Sequence, residues 1–211
     1  MPRLEQLEDV YRRHHREHRP DGFVFGGAER SGLFREWVGT GKRVLDLGCR
    51  SGALTRAYAD GTEVVGVDVD RGALEEAAKL GIETIWADVD EALPFDGASF
   101  DIVVAGELLE HVRFPEHVVA EAARLLRPGG RLVGSVPNAF RLKNRLRFLA
   151  GRQPDSDPTH LRMFGPDDLR RLLAAYADVE LRFVAGRLVP LGPRLFANDI
   201  VFRARSGTAP R

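Results

Sequence analysis

The sequence predicts an α/β fold: a seven-stranded, mostly parallel sheet with helices on both faces and the last strand antiparallel. Three observations carry this. From residue 43 to about 136, short β-rich runs alternate with helical stretches. Those runs are nearly continuously apolar, as strands covered on both faces must be. Two further β-rich runs near the end of the chain bring the number of strands to seven. With 211 residues, 44% of them hydrophobic and 29% charged, the chain has the size and balance of one globular domain.

The elements follow in order. Leu4, Leu7, Val10 and Tyr11 recur at helical spacing, with Arg12, Arg13, Arg16 and Arg19 among and after them, so Arg3–His18 reads as an amphipathic helix that lids or flanks the core. A Gly- and aromatic-rich loop over Pro20–Gly27 leads to a short helix at Ser31–Val38. Arg43–Leu47 is the first strand, Ser51 caps a helix over Ala53–Ala59, and Glu63–Val67 is the second strand. Helix Gly72–Leu80, strands Ile82–Trp86 and Phe100–Ala105, helix Pro115–Leu126 and strand Arg131–Val136 continue the alternation. Leu142, Leu146 and Leu149 then mark a short amphipathic helix, Gly151–Pro158 is a polar loop, and Pro166 with Asp167 and Asp168 opens another helix. Strands at Val179–Val184 and Ala197–Arg203 complete the sheet. The domain reading is a helical lid over 1–40 and an α/β domain over 41–211, with a pocket-forming insertion at about 138–165.

Composition narrows the function classes. Thirty-one basic side chains balance thirty-one acidic ones, which argues against nucleic acid as partner. No apolar stretch is long enough to span a bilayer and the N-terminus is charged, so a cytosolic location without membrane contact is expected. Cys49 is the only cysteine, which excludes an intrachain disulfide and a cysteine-based metal site. Charge is uneven along the chain: Ala122–Pro154 holds eight basic residues and no acid, whereas Glu83–Glu121 holds ten acids and one Arg. A cationic patch is expected to follow the middle of the chain.

The main chemical signal is Val44-Leu45-Asp46-Leu47-Gly48-Cys49-Arg50-Ser51-Gly52, a buried strand ending in a glycine-bearing turn. Glycine lets backbone approach a ligand closely, and amides at such a turn suit a polar group at the carboxyl end of a strand. Asp68 closes the second strand 20 residues after Gly48, where an acid accepts from both hydroxyls of a ribose. Asp88 closes the third strand and suits an adenine amino group, with Val69 and Val89 placed to sandwich the ring. Asp70 and Asp90 read as solvated turn residues.

Taken together, VLDLGCRSG, VVGVDVD, WADVDEALPF, FDIVVAGELLEHV and LLRPGGRLVGSVPN resemble, in order and spacing, the successive motifs of class I S-adenosylmethionine (SAM) dependent methyltransferases. The resemblance covers roughly Gly41–Asn138 and implies a Rossmann-like fold, SAM as methyl donor and S-adenosylhomocysteine as product. Matched position by position, it implies that Asp46, Gly48 and Gly52, with Cys49 in the same turn, bind at the methionine end. It further implies that Asp68 holds ribose, that Asp88 and Val89 read adenine with Val69 beside them, and that Gly106 and Glu107 sit near the sulfonium. Arg50 stands where the family usually has a second glycine, so the turn is GxxxG.

A weaker similarity, through SVPN, RLRFLAGRQP and HLRMF, is to MetW-like proteins and ubiquinone-pathway O-methyltransferases. In such enzymes the region after the fifth strand builds the acceptor pocket, so Asn138, Arg141, Arg145 and His160 are candidate substrate contacts, and His111, in the motif after the fourth strand, is a further one placed to approach the methyl group. His160, in the segment crossing the sheet edge before Pro166, is the candidate catalytic base. His14, His15 and His18 read as exposed. Neither an HExxH pattern nor a carboxylate cluster is present, so no metal is expected. The expected reaction is methyl transfer to a hydroxyl, amine or carboxylate of a small, anionic acceptor by a monomer or homodimer. Two rivals stand beside it: a SAM-binding partner protein without catalysis, and an NAD-dependent oxidoreductase.

Overall fold

The computed structural model of the protein describes residues 2–18, 27–154 and 157–207. Its seven strands are β1 (Arg43–Leu47), β2 (Glu63–Asp68), β3 (Glu83–Trp86), β4 (Phe100–Gly106), β5 (Leu126–Pro137), β6 (Ala177–Val184) and β7 (Asp199–Arg205). They form one sheet in the order β3-β2-β1-β4-β5-β7-β6. The first five are parallel, and β7 runs antiparallel to both neighbours, β5 and β6. The expected sheet and its antiparallel last strand are therefore what the chain builds.

The helices are α1 (Pro2–His18), α2 (Gly27–Val38), α3 (Arg71–Ala78), α4 (Pro115–Leu125), α5 (Leu142–Leu149), α6 (Pro166–Leu172) and α7 (Pro193–Phe196). Because successive side chains of a strand point to opposite faces, β1 sends Leu45 and Leu47 one way and Val44 the other. Leu45 and Leu47 join Val65, Val67 and Val103 under α4, whose Val118, Val119, Ala122 and Leu125 close that layer. Val44 joins Val64, Ile102 and Val104 under α2, with Phe34 and Trp37 filling the opposite layer. Two apolar layers sandwiching a sheet account for strands without a polar face.

Some boundaries moved. The second helix is longer than expected and starts at Gly27, while the expected loop before it lies outside the described residues as far as residue 26. The helix expected over Ala53–Ala59 is a single 3-10 turn, Thr55–Ala57. The physical reason is in the side chains: Thr55 Oγ1 and Tyr58 Oη both donate to Asp46 Oδ2, at 2.6 and 2.7 Å. Residues three apart align on one side of a 3-10 helix, which suits two donors sharing one acceptor. α3 starts at Arg71 because Asp70 caps it, accepting from the Ala73 amide at 3.3 Å. Asp70 is thus 4% exposed rather than solvated.

Candidate active site

A cleft of about 380 Å³ opens across the carboxyl ends of β1, β2 and β4, where ligands of open α/β sheets bind. Its floor is the turn after β1. Gly48 has φ +71°, and a Cβ there would stand 2.9 Å from Leu108 Cδ1. Arg50, also in the left-handed region at φ 49°, donates its amide to Asp68 Oδ2 at 2.9 Å. That conformation is one glycine adopts without strain, which accounts for the glycine usual at this point; Arg50 takes it up with its amide bonded to Asp68. The Asp70 amide holds the other oxygen of Asp68 at 2.9 Å, so two backbone donors fix the carboxylate at the end of β2.

The walls are charged in a definite sense. Asp46, Asp68, Asp88, Asp90 and Glu107 line the cleft against Arg30, Arg50 and Arg113. Burial pushes Asp46 up to about 6, with the charge of Asp68 adding to the rise and the hydroxyls of Thr55 and Tyr58 opposing it. Tyr11 is pushed up to about 12 by burial and then by the carboxylates of Asp90, Asp68 and Asp88. Glu107, at φ 53°, is fixed by Arg30 at 3.0 Å and by the Ser135 hydroxyl at 2.8 Å. An excess of carboxylates favours a cationic ligand. Asp88 lies 3.6 Å from the Arg113 guanidinium, and Val69 and Val89 stand among the lining residues beside it.

From the N-terminal side, Leu7, Val10, Tyr11 and His14 of α1 close over the cleft. Several contacts among the described residues seat this helix, Arg12 lying 3.7 Å from Asp70 among them. Glu8 is gripped by the Arg71 guanidinium at 2.7 to 2.9 Å, the Tyr11 hydroxyl donates to the His111 carbonyl at 3.1 Å, and His14 Nε2 lies 3.4 Å from Asp157. His14, expected to be exposed, is 6% exposed, because its face of α1 is the one packed on the cleft. The side chains of His15 and His18 lie outside those described.

Of the residues singled out in the sequence, Asp46, Gly48, Cys49, Asp68, Val69, Asp88, Val89, Gly106, Glu107 and His111 are brought together around the cleft. Gly52 is not. Its φ is +76°, and a Cβ there would meet Ile82 Cδ1 at 2.8 Å and Leu80 Cδ1 at 3.0 Å, so this glycine serves close packing behind the turn. Cys49 is buried, and burial raises its thiol well above the usual range. Asp90, expected to be solvated, accepts from the Arg113 and Phe114 amides at 3.1 and 3.2 Å.

The residues expected to contact the acceptor are placed differently. Asn138 is 1% exposed, donates to the carbonyls of Arg194 and Ala197, and accepts from the Phe140 amide, which makes it a joint between loops. Arg141 reaches Asn198, and Arg145 donates to the Phe140 carbonyl at 2.8 Å; neither lines this cleft. His160 stands one layer behind the wall, its ring 4.6 Å from that of His111, while its neighbours Thr159 and Leu161 line the cleft. The sequence singled out neither Arg30 nor Arg113. Arg30 had no pattern to mark it, whereas Arg113, the one Arg in an acidic stretch, had a charge signal. Glu110, His111 and His160 also gather with one ligand-type atom each within 4.8 Å of the others, a cluster that sequence spacing hid because His160 follows 49 residues after His111.

A family model described as a methyltransferase domain matches residues 14–176, most of the chain, from the end of α1 through α6. The chain belongs to that family. Over 91 residues, 42% of its length, this methyltransferase-domain chain is 37% identical to a Mycobacterium tuberculosis protein named probable S-adenosylmethionine-dependent methyltransferase, of which the match covers 31%. Over 104 residues, 46% of the chain, it is 39% identical to the ubiquinone biosynthesis O-methyltransferase of Coxiella burnetii, of which the match covers 44%. The chain thus matches less than half the length of either relative. Among solved structures, a SAM dependent methyltransferase from Archaeoglobus fulgidus superposes with a TM-score of 0.72 at 19% identity, covering 93% of this chain and 100% of that one. Phosphoethanolamine N-methyltransferase 2 of Haemonchus contortus, solved with SAM, gives 0.69 at 16% identity over 89% of this chain and 55% of that one. At these identities the likeness is one of fold. No helix among the described residues is long and apolar enough to cross a membrane.

Proposed function

We propose that this methyltransferase-domain protein binds SAM in the cleft and transfers its methyl group to the hydroxyl of a small acceptor. The observation that carries the reading is the pair Asp68 and Asp88 facing one cleft at the ends of β2 and β3, with Val69 and Val89 beside them. An adenosine needs such a set: two acceptors, one for ribose hydroxyls and one for an amino group, and apolar walls for a ring. The carboxylate excess on the lining suits a donor that carries a sulfonium and an ammonium. When bound, SAM supplies a methyl group already activated by positive sulfur. Asp68 orients the sugar, Asp46 and Glu107 face the cationic end, and α1 covers the cleft as a lid that keeps water out. Catalysis then rests on alignment of the acceptor with the methyl group.

Oxygen is placed first among acceptor atoms because the Coxiella relative is named an O-methyltransferase. The acceptor enters beside His111, the one histidine among the earlier substrate and catalytic candidates that lines the cleft. Calorimetric titration of the full chain with S-adenosylhomocysteine and with NADH tests the donor. Micromolar binding of S-adenosylhomocysteine is expected, and binding of NADH without it overturns the reading. Methyl-labelled SAM incubated with a metabolite extract tests turnover. Label in a small hydroxylated product is expected; donor binding with no transferred label assigns the chain to donor binding alone.

A further inference from the structure

We propose that the groove between α5 and α7 is a second binding site, one that takes a single free amphiphilic anion: an alkyl chain bearing a carboxylate or a phosphate monoester. The groove encloses about 500 Å³, within the roughly 300 to 1,000 Å³ usual for small-molecule sites. None of its lining residues belongs to the cleft described above, so the site stands apart from the methyl-transfer reading. α5 contributes Leu142 and Leu146, one turn apart on one face, and α7 contributes Leu195 and Phe196. Leu142 and Leu195 are each 36% exposed and Leu146 is 57% exposed, so these side chains hold up no core. An alkyl chain laid between them takes apolar surface of both partners out of water.

The charge around the groove has one sign. Residues 138–154 and 186–198, which supply it, hold seven basic side chains and no acid. Elsewhere arginines commonly stand against carboxylates, as Arg43 does with Glu63, Arg127 with Asp101 and Arg205 with Asp178. The bonds that Arg141 and Arg147 make go to neutral oxygens instead. Arg141 donates from Nε to Asn144 Oδ1 at 3.3 Å and from Nη1 to Asn198 Oδ1 at 2.5 Å, and Arg147 donates from Nε to the Gln153 carbonyl at 2.9 Å. Asn144 is 7% exposed and is itself anchored, donating to the carbonyls of Asn138 and Ala139 at 3.4 and 3.1 Å. Arg141 is thus held in place with its charge unneutralised. Its two bonds use part of the five-donor guanidinium, and the rest of that planar fork matches a carboxylate or phosphate. Because the fold has already ordered the side chain, binding loses little rotamer freedom.

Shape and chemistry together select the occupant. The four apolar side chains line a concavity between two helices, which one chain enters and a flat lipid surface does not reach. Nucleic acid brings phosphates but no alkyl chain, and would leave the leucines wet. The direction of the ligand follows from where the charge is fixed. Arg141 stands at the start of α5, tied by Asn198 to the chain just after α7, and takes the head group. The chain then runs along α5 past Leu142 and Leu146. With eight residues α5 is about 12 Å long, which sets the length of chain it covers. Lys143, Arg147 and Arg152 add positive potential along the rim.

The test titrates the full chain calorimetrically with dodecyl phosphate, kept below its micelle concentration, in about 0.15 M salt so that diffuse charge attraction is screened. One molecule per chain with a micromolar dissociation constant is expected. Inorganic phosphate, a head without a chain, and dodecyl maltoside, a chain without a charge, should each bind at least about tenfold more weakly. Arg141→Gln, and separately the double change Leu146→Ser with Leu195→Ser, should each weaken dodecyl phosphate at least about tenfold. Arg147→Gln, which leaves Asn144 and Asn198 untouched, should weaken it as well, and a thermal melt shows that each variant is folded. Absence of saturable binding, equal binding of dodecyl maltoside, or unchanged affinity in all the variants overturns the site. Sedimentation with phosphatidylglycerol vesicles, without binding of the free amphiphile, overturns the groove in favour of a lipid surface. Dodecyl phosphate binding without S-adenosylhomocysteine binding refutes the proposed function alone; the reverse refutes this inference alone.

Discussion

Removing the Asp68 carboxylate separates the role of the cleft from the role of the fold. Asp68 accepts the Arg50 and Asp70 amides, both at 2.9 Å, and lines the cleft at the end of β2. In Asp68→Ala, a bound ribose loses its charged acceptor, worth about 1.5 to 3 kcal/mol, which is roughly a 10- to 150-fold rise in the dissociation constant of S-adenosylhomocysteine. The same change leaves two amides without their acceptor. One belongs to Arg50, whose left-handed backbone at φ 49° relies on that bond. Water reaching the open cleft satisfies part of the loss, so about 1 kcal/mol of stability is expected to go, or about 2 to 4 °C in Tm for a domain of this size. Titration calorimetry measures the first effect and a thermal melt the second. A variant that melts as expected yet binds S-adenosylhomocysteine with unchanged affinity would show that Asp68 shapes the turn and touches no ligand.

Two further substitutions probe the same region. Asp46 is pushed from 3.8 to about 6 by burial, so it is protonated in folded and unfolded chain alike at low pH; the unfolded chain ionises first as pH rises. Stability from this residue therefore falls between pH 3.8 and about 6 and stays lower above, by about 3 kcal/mol. Asp46→Asn, which keeps an acceptor for Thr55 and Tyr58, is expected to raise Tm at pH 8 by up to about 10 °C and to change it little near pH 4; equal shifts at both values would refute the buried-charge account. Gly52→Ala, with its Cβ 2.8 Å from Ile82 Cδ1 at φ +76°, is expected to lower Tm while leaving S-adenosylhomocysteine affinity within twofold. A large loss of affinity in a stable Gly52→Ala protein would return this glycine to the cleft.

The sheet was legible in the sequence because its signal is local and repeated. Apolar runs at Arg43–Leu47, Glu63–Val67 and Phe100–Ala105 have no polar face, and only a sheet buried on both sides accommodates them. The donor side of the cleft was legible for a related reason: Asp46, Asp68 and Asp88 sit at or just past strand ends, and a parallel sheet places all its carboxyl ends along one edge. Tertiary structure decided what depends on two segments meeting. Thr55 and Tyr58 turned toward Asp46, which shortened an expected helix to one 3-10 turn. Asn138 looked like a substrate contact until the residues near α7 supplied its carbonyl partners. His14 looked exposed until α1 folded over the cleft, and His160 came to lie against Glu110 and His111, far from it in sequence. Local periodicity records which face of an element is apolar, but not which distant loop satisfies a given amide, carboxylate or imidazole, because that pairing exists only once the chain has folded.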